Sequence, residues 1–477
     1  MIFSSIPFIV YFLPVVLVVY YLLFFSRTLQ NIWLLISSLF FYAYGEPVYV
    51  FVMIASILFN SLMAIIIDRV NGAKKKRVLL VLVIAANTGL LFFFKYLGFV
   101  LGLFFDGNSA VDWISNISLP IGISFFTFQS MSYCIDVYRK RVKADNPFYV
   151  GLYIAFFPQL IAGPIVQFNK VADQLRNRKT TFDSFSSGIC RFAAGLGKKV
   201  ILANSYAAIA DHVFAWSEIG TDKLAVPAAL SWLGSICYSL QIYYDFSAYS
   251  DMAIGLALCF GFEIGENFNY PYIASSVTDF WRRWHISLTD WFREYVYIPL
   301  GGNRDANRDN MVRNMAVVWI LTGIWHGANW TFIFWGGFYF AILLFERFVG
   351  LHKKSENSVS GRVYTLLVVN FLWVLFRAKD LYQAGRFYLN MFGLNNNGFL
   401  SSTALMLLKE NIVVLAFGII LAAPVVPGMN RYLNRYERSG LNILYSLCYP
   451  VLMLLMVIVS ISYLIIGSYN PFIYFNF

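Results

Sequence analysis

The stretch T-G-I-W-H-G-A-N-W (Thr322–Trp330) guides the interpretation of the whole chain, because it places one histidine, His326, inside a long apolar segment. That segment runs from about Asn314, after the basic Arg313, to about Phe345. At about 1.5 Å of helix rise per residue, the imidazole should lie roughly 18 Å along it, near the middle of a hydrocarbon layer of about 30 Å. An ionisable side chain at that depth is costly, so it indicates either a function or a buried polar partner that serves packing alone.

The composition is typical of a polytopic membrane protein. The chain has 477 residues, of which 59% are hydrophobic and 13% are charged, whereas about 25% of the residues in soluble proteins are charged. The net charge of +11 is concentrated in short basic clusters between apolar runs, a pattern expected of cytoplasmic loops rather than of a nucleic-acid-binding surface. We therefore expect an all-α, multi-pass protein that forms a single integral membrane domain over residues 1–477, with no nucleic-acid partner.

Basic loops set the expected orientation of the chain. Apolar runs at residues 6–25, 32–44 and 48–67 predict three spans before the loop of residues 68–77. This loop contains five Lys or Arg residues and should be cytoplasmic. Counting back through these three spans places the N-terminus outside the cytoplasm. The loop of residues 430–440, with Arg431, Arg435 and Arg438, should also be cytoplasmic, so the last helix would place the C-terminus at the outer face of the membrane.

Two further apolar segments are irregular. Residues 148–168 are interrupted by Pro158 and by Gly163-Pro164 and have basic residues on both sides. We expect this segment to be re-entrant, because broken backbone at membrane depth is tolerated only where it is buried in protein or lines a cavity. The run 224–262 is too long for one helix, and its polar centre should face protein or water.

A second polar stretch covers residues 275–303 and does not have the character of a span. Large apolar residues recur in it at i+3 and i+4 spacing, which predicts one amphipathic helix with Ser276, Thr278 and Asp279 as candidate N-caps. These residues are Trp281, Trp284, Leu288, Trp291 and Tyr295. Such a helix could be an anchor on the membrane surface, or it could line a polar re-entrant site, because His285 borders the apolar stripe.

The two histidines, His285 and His326, are compatible with one site. The chain has no H-x-x-x-H or H-E-x-x-H pattern, so we expect no metal. A neutral imidazole with a pKa of about 6.5 suits general-base chemistry on a hydroxyl group. Neither a nucleophile elbow nor a phosphate-binding loop is present. The residues alone leave two readings open, a membrane-embedded histidine enzyme of unknown reaction and a transporter.

A family resemblance is carried by two specific strings, D-F-W-R-R-W-H-I-S-L-T-D-W-F-R-E-Y-V-Y-I-P-L-G-G-N-R (Asp279–Arg304) and T-G-I-W-H-G-A-N-W-T-F-I-F-W-G (Thr322–Gly336). They resemble the signature blocks of the membrane-bound O-acyltransferase superfamily, and most closely those of its bacterial alginate O-acetyltransferase branch. The strings Tyr243–Gly255 and Phe157–Ile165 resemble further blocks of that branch. The resemblance covers essentially the whole chain.

The resemblance implies a multi-helix fold in the bacterial cell membrane, with re-entrant segments and a central tunnel through the bilayer. His326 matches the catalytic histidine of the family and would be the base, and His285 would orient the acyl group or the acceptor. The donor substrate would be acetyl-CoA, with no cofactor and no metal. Candidate supporting or tunnel-lining residues are Asp245, Arg282, Trp284, Trp325 and Asn329.

The last six residues, F-I-Y-F-N-F (Phe472–Phe477), resemble the F-x-Y-x-x-F ending of a small companion protein in a related D-alanyl transfer system. The tyrosine of that motif is proposed to carry the acyl group, which makes Tyr474 a candidate carrier here. A phenol with a pKa of about 10 can be activated by a base, and its phenolate leaves more readily than an alkoxide. The alternative is an aromatic anchor at the membrane interface.

The expected function is therefore O-acetylation of an extracytoplasmic polysaccharide with acetyl groups from cytoplasmic acetyl-CoA, by way of Tyr474. The final transfer would need a separate secreted O-acetyltransferase of the serine-hydrolase (SGNH) type, because this chain offers no such soluble domain. Two alternatives remain. The protein could acylate a membrane lipid or another small acceptor directly, or it could be a transporter or scaffold that makes no bond.

Overall fold

The computed structural model describes residues 1–105, 114, 117–217, 226–302, 308–351, 358–396, 398–434, 440–467 and 469–473. Within these residues the regular secondary structure is helical and no β-strand occurs. In the same part of the chain, six helices are long and apolar enough to cross a membrane, judged by length and composition. They are Tyr49–Arg69, Ala73–Gly102, Trp330–Val349, Val359–Arg377, Ser402–Leu421 and Ile443–Ile465. The expectation of an all-α, multi-pass membrane protein is confirmed.

The remaining helical elements are shorter, less apolar or more deeply buried than these six spans. The α-helices among them are Leu13–Leu22, Arg27–Gly45, Ile123–Tyr138, Pro147–Ala155, Phe157–Leu160, Phe168–Val171, Gln174–Asn177, Phe182–Gly197, Asn204–Trp216, Ala228–Cys259, Val277–Arg283, Ile286–Phe292, Arg308–His326, Leu381–Met391 and Val425–Asn434. The last span belongs to a longer helix, Gly440–Ile465. Turns of π-helix occur at Pro7–Phe12, Phe92–Tyr96, Lys198–Ala203 and Arg293–Tyr297.

The chain divides into two compact units, of which the first comprises Met1–Phe192, Tyr249–Glu266 and Asp290–Pro299. A buried helix, Ile123–Tyr138, packs in this unit against Tyr49–Arg69. Because this helix is buried along almost its whole length, its polar groups need partners within the protein. Asp136 illustrates this requirement, since its buried carboxylate accepts a hydrogen bond from the hydroxyl of Tyr295 over 2.8 Å.

The interrupted segment of residues 148–168 also belongs to the first unit. The helix Pro147–Ala155 ends before Phe156, and a single turn, Phe157–Leu160, follows. The break at these residues matches the sequence expectation, and the broken backbone is buried, as irregular structure at membrane depth must be. The re-entrant course of this segment stays a prediction.

The second unit comprises Ala193–Ala248, Asn267–Thr289 and the described residues of 300–477. The helices Arg308–His326 and Trp330–Val349 pack closely against each other in it. Glycines allow this approach, because a Cβ atom on Gly336 would collide with the backbone carbonyl oxygen of Trp319.

This helical hairpin corrects the expectation of one continuous apolar segment around His326. The chain turns at residues 327–329, and the side chain of Asn329 caps the next helix by accepting the N–H of Thr331 over 3.0 Å. His326 is therefore the last residue of a helix and does not lie midway along a single span. The apolar character of the sequence continues through the turn, which hides the turn from a hydropathy argument.

The expectation that residues 224–262 are too long for one helix is also wrong. Ala228–Cys259 is one continuous helix of 32 residues. Its polar centre needs no break to reach water, because it is enclosed by protein. The hydroxyl of Tyr244, for example, donates to the carbonyl oxygen of Gly418 over 2.5 Å. Residues 241–250 are all buried, as the sequence indicated for this centre.

Candidate active site around two histidines

The second polar stretch forms two short helices, Val277–Arg283 and Ile286–Phe292, separated at Trp284 and His285. The backbone of His285 has a φ of 45°, a left-handed conformation that costs a non-glycine residue about 1–3 kcal/mol. The expected continuous amphipathic helix is therefore wrong at this point. Strain of this kind is often found at functional sites.

The start of this stretch is fixed by two caps. Ser276 caps Val277–Arg283 as expected, because its Oγ accepts the N–H of Asp279 over 3.0 Å. The buried carboxylate of Glu346 accepts the N–H groups of Val277 and Thr278 over 2.6 and 2.8 Å, and the hydroxyl of Thr278 over 2.6 Å. These bonds satisfy donors that the first turn of a helix leaves without partners.

The aromatic stripe of this stretch is buried in the protein. Trp281, Trp284 and Trp291 are at most 7% exposed. The stripe therefore offers no apolar face to lipid, and the interfacial-anchor interpretation is wrong. Of the other predicted site residues here, Trp284 packs against Trp373, with ring centroids 5.0 Å apart, whereas the side chain of Arg282 is exposed.

His285 is fixed by an asparagine that sequence reasoning missed. Its Nδ1 lies 3.2 Å from Oδ1 of Asn267. The backbone N–H of Ser287, which can only donate, also contacts this Asn267 atom, over 3.2 Å, so the atom is the amide oxygen. Because an oxygen without hydrogens can only accept, Nδ1 of His285 has to carry the ring proton.

Nε2 is therefore the unprotonated nitrogen of His285 and can accept a hydrogen bond. It has no hydrogen-bond partner among the residues that the structure describes, although the side chain is only 1% exposed. His285 lies outside the six spans, and burial lowers the pKa of its imidazole, because a low-dielectric environment disfavours the charged form. The ring is thus neutral near pH 7.

His326 is enclosed by aromatic rings. Its imidazole centroid lies 5.0 Å from the rings of Trp335 and Phe376, and 6.4 Å from that of Phe332. The side chain is 8% exposed. These rings exclude most water from the imidazole and restrict the directions from which a substrate can approach it.

Trp325 contacts both histidines. Its ring lies 6.2 Å from the imidazole of His285 and 5.0 Å from that of His326, measured between centroids. The structure thus brings together His285, His326 and Trp325, as the sequence predicts. His326 ends the helix Arg308–His326, whereas His285 lies in the break between two short helices, so the buried Trp325 contacts histidines from two separate parts of the chain.

A cavity of about 540 Å³ adjoins this cluster in the second unit. Phe332 and Phe376, which pack against His326, also line it. Polar residues of the lining include Asn329, another predicted site residue, whose Nδ2 donates to the carbonyl oxygen of Lys379 over 2.7 Å. The cavity therefore provides space for a polar substrate group beside the rings that enclose His326.

The cavity is also lined by the C-terminal segment of the chain, at Tyr469, Pro471 and Ile473. The hydroxyl of Tyr469 donates to the carboxylate of Asp211 over 2.7 Å. Burial, and then that carboxylate, raise the pKa of this phenol. Residues 474–477, and with them the predicted carrier Tyr474, lie outside the described residues.

Asp245 lies in this region and has a partner that the sequence analysis missed. Its Oδ1 is 2.7 Å from Nζ of Lys199, and both side chains are at most 3% exposed. The available signal was a lysine inside the apolar run of residues 188–210, because a cation in such a run requires a buried acidic partner. Spacing along the chain does not indicate which acid that is.

A multi-pass helical protein with a buried histidine beside a cavity has the architecture of an integral-membrane enzyme. The chain belongs to the MBOAT, or membrane-bound O-acyltransferase, family, whose model matches residues 36–382. The protein is accordingly a membrane O-acyltransferase. Both His285 and His326 fall inside the matched region.

Relatives of the chain act on different acceptors. It is 38% identical to the probable alginate O-acetylase AlgI of Pseudomonas putida over 501 aligned residues, which cover 100% of each chain. It is 36% identical to the peptidoglycan O-acetyltransferase of Helicobacter pylori, over 83% of this chain and 80% of the relative. Identity to the teichoic acid D-alanyltransferase of Bacillus subtilis is 29%, over 55% of this chain and 68% of the relative.

Proposed function

We propose that this protein takes acetyl groups from acetyl-CoA at the cytoplasmic face of a bacterial cell membrane and supplies them for O-acetylation of a polysaccharide outside the cytoplasm. The observation that carries this proposal is the position of the C-terminal segment. Pro471 and Ile473 line the same cavity as Phe332 and Phe376, the two rings packed against His326. Pro471 and Ile473 thus lie across one cavity from the aromatic rings that enclose His326.

In the proposed step, the phenol oxygen of Tyr474 attacks the thioester carbonyl carbon of acetyl-CoA, and His326 takes the phenol proton. The carbon–sulfur bond then breaks, and the departing thiolate receives the proton from the imidazolium. The products are CoA and an acetyl ester on Tyr474. No other reactant is needed, and His326 returns to its neutral form.

Two features of His326 suit it to the role of base. The surrounding aromatic rings keep bulk water away, which protects an acyl intermediate from hydrolysis. The residue also ends the helix Arg308–His326. The partial negative charge at a helix C-terminus stabilises the positive charge that the imidazole acquires when it takes a proton.

His285 would orient the attacking hydroxyl group. Because its Nδ1 donates to Asn267, the unprotonated Nε2 can accept a hydrogen bond from a hydroxyl but cannot donate one to an acyl carbonyl. This favours contact with the acceptor over contact with the acyl group. Trp325 contacts both imidazoles and would hold the orienting His285 and the base His326 in a fixed relative position.

The acceptor proposed here is a polysaccharide, which is supported by relatives named for alginate and for peptidoglycan. A separate extracytoplasmic transferase of the serine-hydrolase type would accept the acetyl group from Tyr474. This arrangement places both termini outside the cytoplasm, as the basic loops indicate.

The test follows labelled acetyl groups in proteoliposomes that contain the full-length protein. With labelled acetyl-CoA supplied, we expect release of CoA and label on the protein, and passage of label to a polysaccharide when a partner transferase is added. Label that passes directly to a lipid in wild-type protein would replace the polysaccharide proposal with direct acylation. The absence of both CoA release and label, even with a partner present, would contradict an acetyl donor.

A further inference from the structure

We propose that the buried ion pair Lys199–Asp245 is a binding site for the main chain of the C-terminal segment, and that the pair positions this segment for acyl transfer. The positioning role rests on the function proposed above, whereas the binding site stands on geometry alone.

The pair contacts peptide groups of the segment on both sides of Phe472. Nζ of Lys199 donates to the carbonyl oxygen of Pro471, and Oδ2 of Asp245 accepts the N–H of Ile473 over 2.9 Å. Buried peptide groups need hydrogen-bond partners. Here an ammonium and a carboxylate supply them, and such charge-assisted bonds are stronger than bonds between neutral groups.

The contacts also restrict the register of the segment. The pair forms hydrogen bonds with main-chain groups of residues 471 and 473, which are two positions apart. Pro471 has no N–H to offer, so a shift that brought this residue opposite Asp245 would leave the carboxylate without its donor. The bound register therefore fixes the point from which the chain continues to Tyr474.

Neighbouring contacts extend the same site. Nδ2 of Asn204 lies 3.2 Å from Oδ1 of Asn470. The ring of Phe472 faces Nζ of Lys199, with 6.0 Å between the nitrogen and the ring centroid, at the outer limit for a cation–π contact. This site thus binds both the main chain and the side chains of the segment.

The local structure around Lys199 is consistent with a functional role. The lysine lies in the π-helical turn Lys198–Ala203, and turns of this kind occur frequently at functional sites. A buried ion pair is a poor device for stability alone, since well-packed apolar residues of similar volume usually stabilise a protein as much or more. A role in fixing the segment gives a reason for this pair.

The test uses the full-length protein with both charges removed, as Lys199→Met combined with Asp245→Asn. Removing one charge leaves the other buried and unpaired, which endangers folding, whereas the double variant leaves no buried charge. Lys199→Arg keeps the donor and the charge. Lys170→Met is the control, because it removes an exposed lysine and retains the ion pair.

Three quantities are measured for each variant: hydrogen–deuterium exchange of the peptide containing Ile473, the single-turnover rate of acetylation of Tyr474, and the KM for acetyl-CoA. We expect the double variant to lose protection at Ile473 and to acetylate Tyr474 about 100-fold more slowly, with an unchanged KM. Lys199→Arg should retain protection and most of the rate, and Lys170→Met should behave as wild type.

Retained protection at Ile473 in the double variant would overturn the binding site. Lost protection with an unchanged acetylation rate would overturn the positioning role. If wild-type protein formed no acetyl ester on Tyr474, the relay itself would fail and the positioning role with it. Exchange at Ile473 would still decide, separately, whether the ion pair binds the segment.

Discussion

His285 donates from Nδ1 to the side-chain oxygen of Asn267 over 3.2 Å, and this bond determines which nitrogen of the ring is free to act. The same oxygen accepts the hydroxyl of Ser287 over 2.9 Å. One asparagine thus fixes the tautomer and the orientation of a strained, buried histidine.

Replacement of Asn267 by alanine should release the ring of His285 and allow the other tautomer. We expect the rate of CoA release to fall about 10- to 100-fold, with little change in the KM for acetyl-CoA, because the defect lies in orientation of the acceptor. Initial rates measured with a thiol reagent provide the test. Asn269→Ala, at an exposed position two residues along, is the matched control and should have wild-type rates. Equal rates for both variants would contradict the role of Asn267.

Replacement of His326 by alanine removes the proposed base. The expected loss in acetyl transfer is about 100- to 10,000-fold, the contribution typical of general-base catalysis, with folding intact by size-exclusion chromatography. His212→Ala is the control, because this histidine is exposed and lies on another helix, Asn204–Trp216. Transfer at the wild-type rate in a folded His326→Ala protein would show that His326 is not the base.

The hairpin that places His326 should be sensitive to the size of residue 336. Gly336→Ala forces a Cβ atom against the carbonyl oxygen of Trp319, and overpacking of this kind typically destabilises a protein by about 1–3 kcal/mol. Gly337→Ala is the matched control in the same helix, because nothing lies within 4 Å of its added Cβ atom. Melting temperatures in detergent should fall for the first variant and stay equal or rise for the second. The reverse order would contradict the close packing of the hairpin.

Glu346 should stabilise the start of the signature stretch. In Glu346→Gln, one carboxylate oxygen becomes an NH₂ group, which cannot accept a hydrogen bond. The single remaining oxygen cannot replace both acceptors of the N–H groups of Val277 and Thr278 and the hydroxyl of Thr278. We expect a loss of about 1.5–3 kcal/mol in stability, as for hydrogen bonds to charged groups. Arg347→Gln, at the exposed neighbouring position, should have a much smaller effect in the same thermal measurement. Equal melting temperatures would show that the cap contributes little.

Part of the site could be predicted from the sequence, because its histidines lie in polar stretches that contrast with their apolar surroundings. Both histidines and Trp325 come together as expected. The break at His285 was missed because residues 281–295 keep their i+3 and i+4 spacing across it, and a backbone φ of 45° leaves no trace in residue type. The turn at residues 327–329 was missed because hydropathy alone does not register Asn329 as a helix cap.

Contacts between residues that are distant in sequence could not be predicted from the spacing of residues along the chain. Lys199 and Asp245 lie in different helices, and the helix Val277–Arg283 lies between Asn267 and His285 in the sequence. A lysine in an apolar run signals that a buried partner exists, but the fold alone identifies that partner. Arg282 was named from the family resemblance, and the structure leaves its side chain exposed on the helix Val277–Arg283.

Acetyl transfer through Tyr474 is tested most directly by the intact mass of the purified protein after incubation with acetyl-CoA, followed by a peptide map of the C-terminus. We predict a gain of one acetyl group on Tyr474 in the wild type and in His212→Ala, and no gain in His326→Ala or Tyr474→Phe. An acetyl group that persists in Tyr474→Phe would contradict transfer through Tyr474. So would a wild-type protein that releases CoA in the presence of a partner transferase without ever forming the adduct.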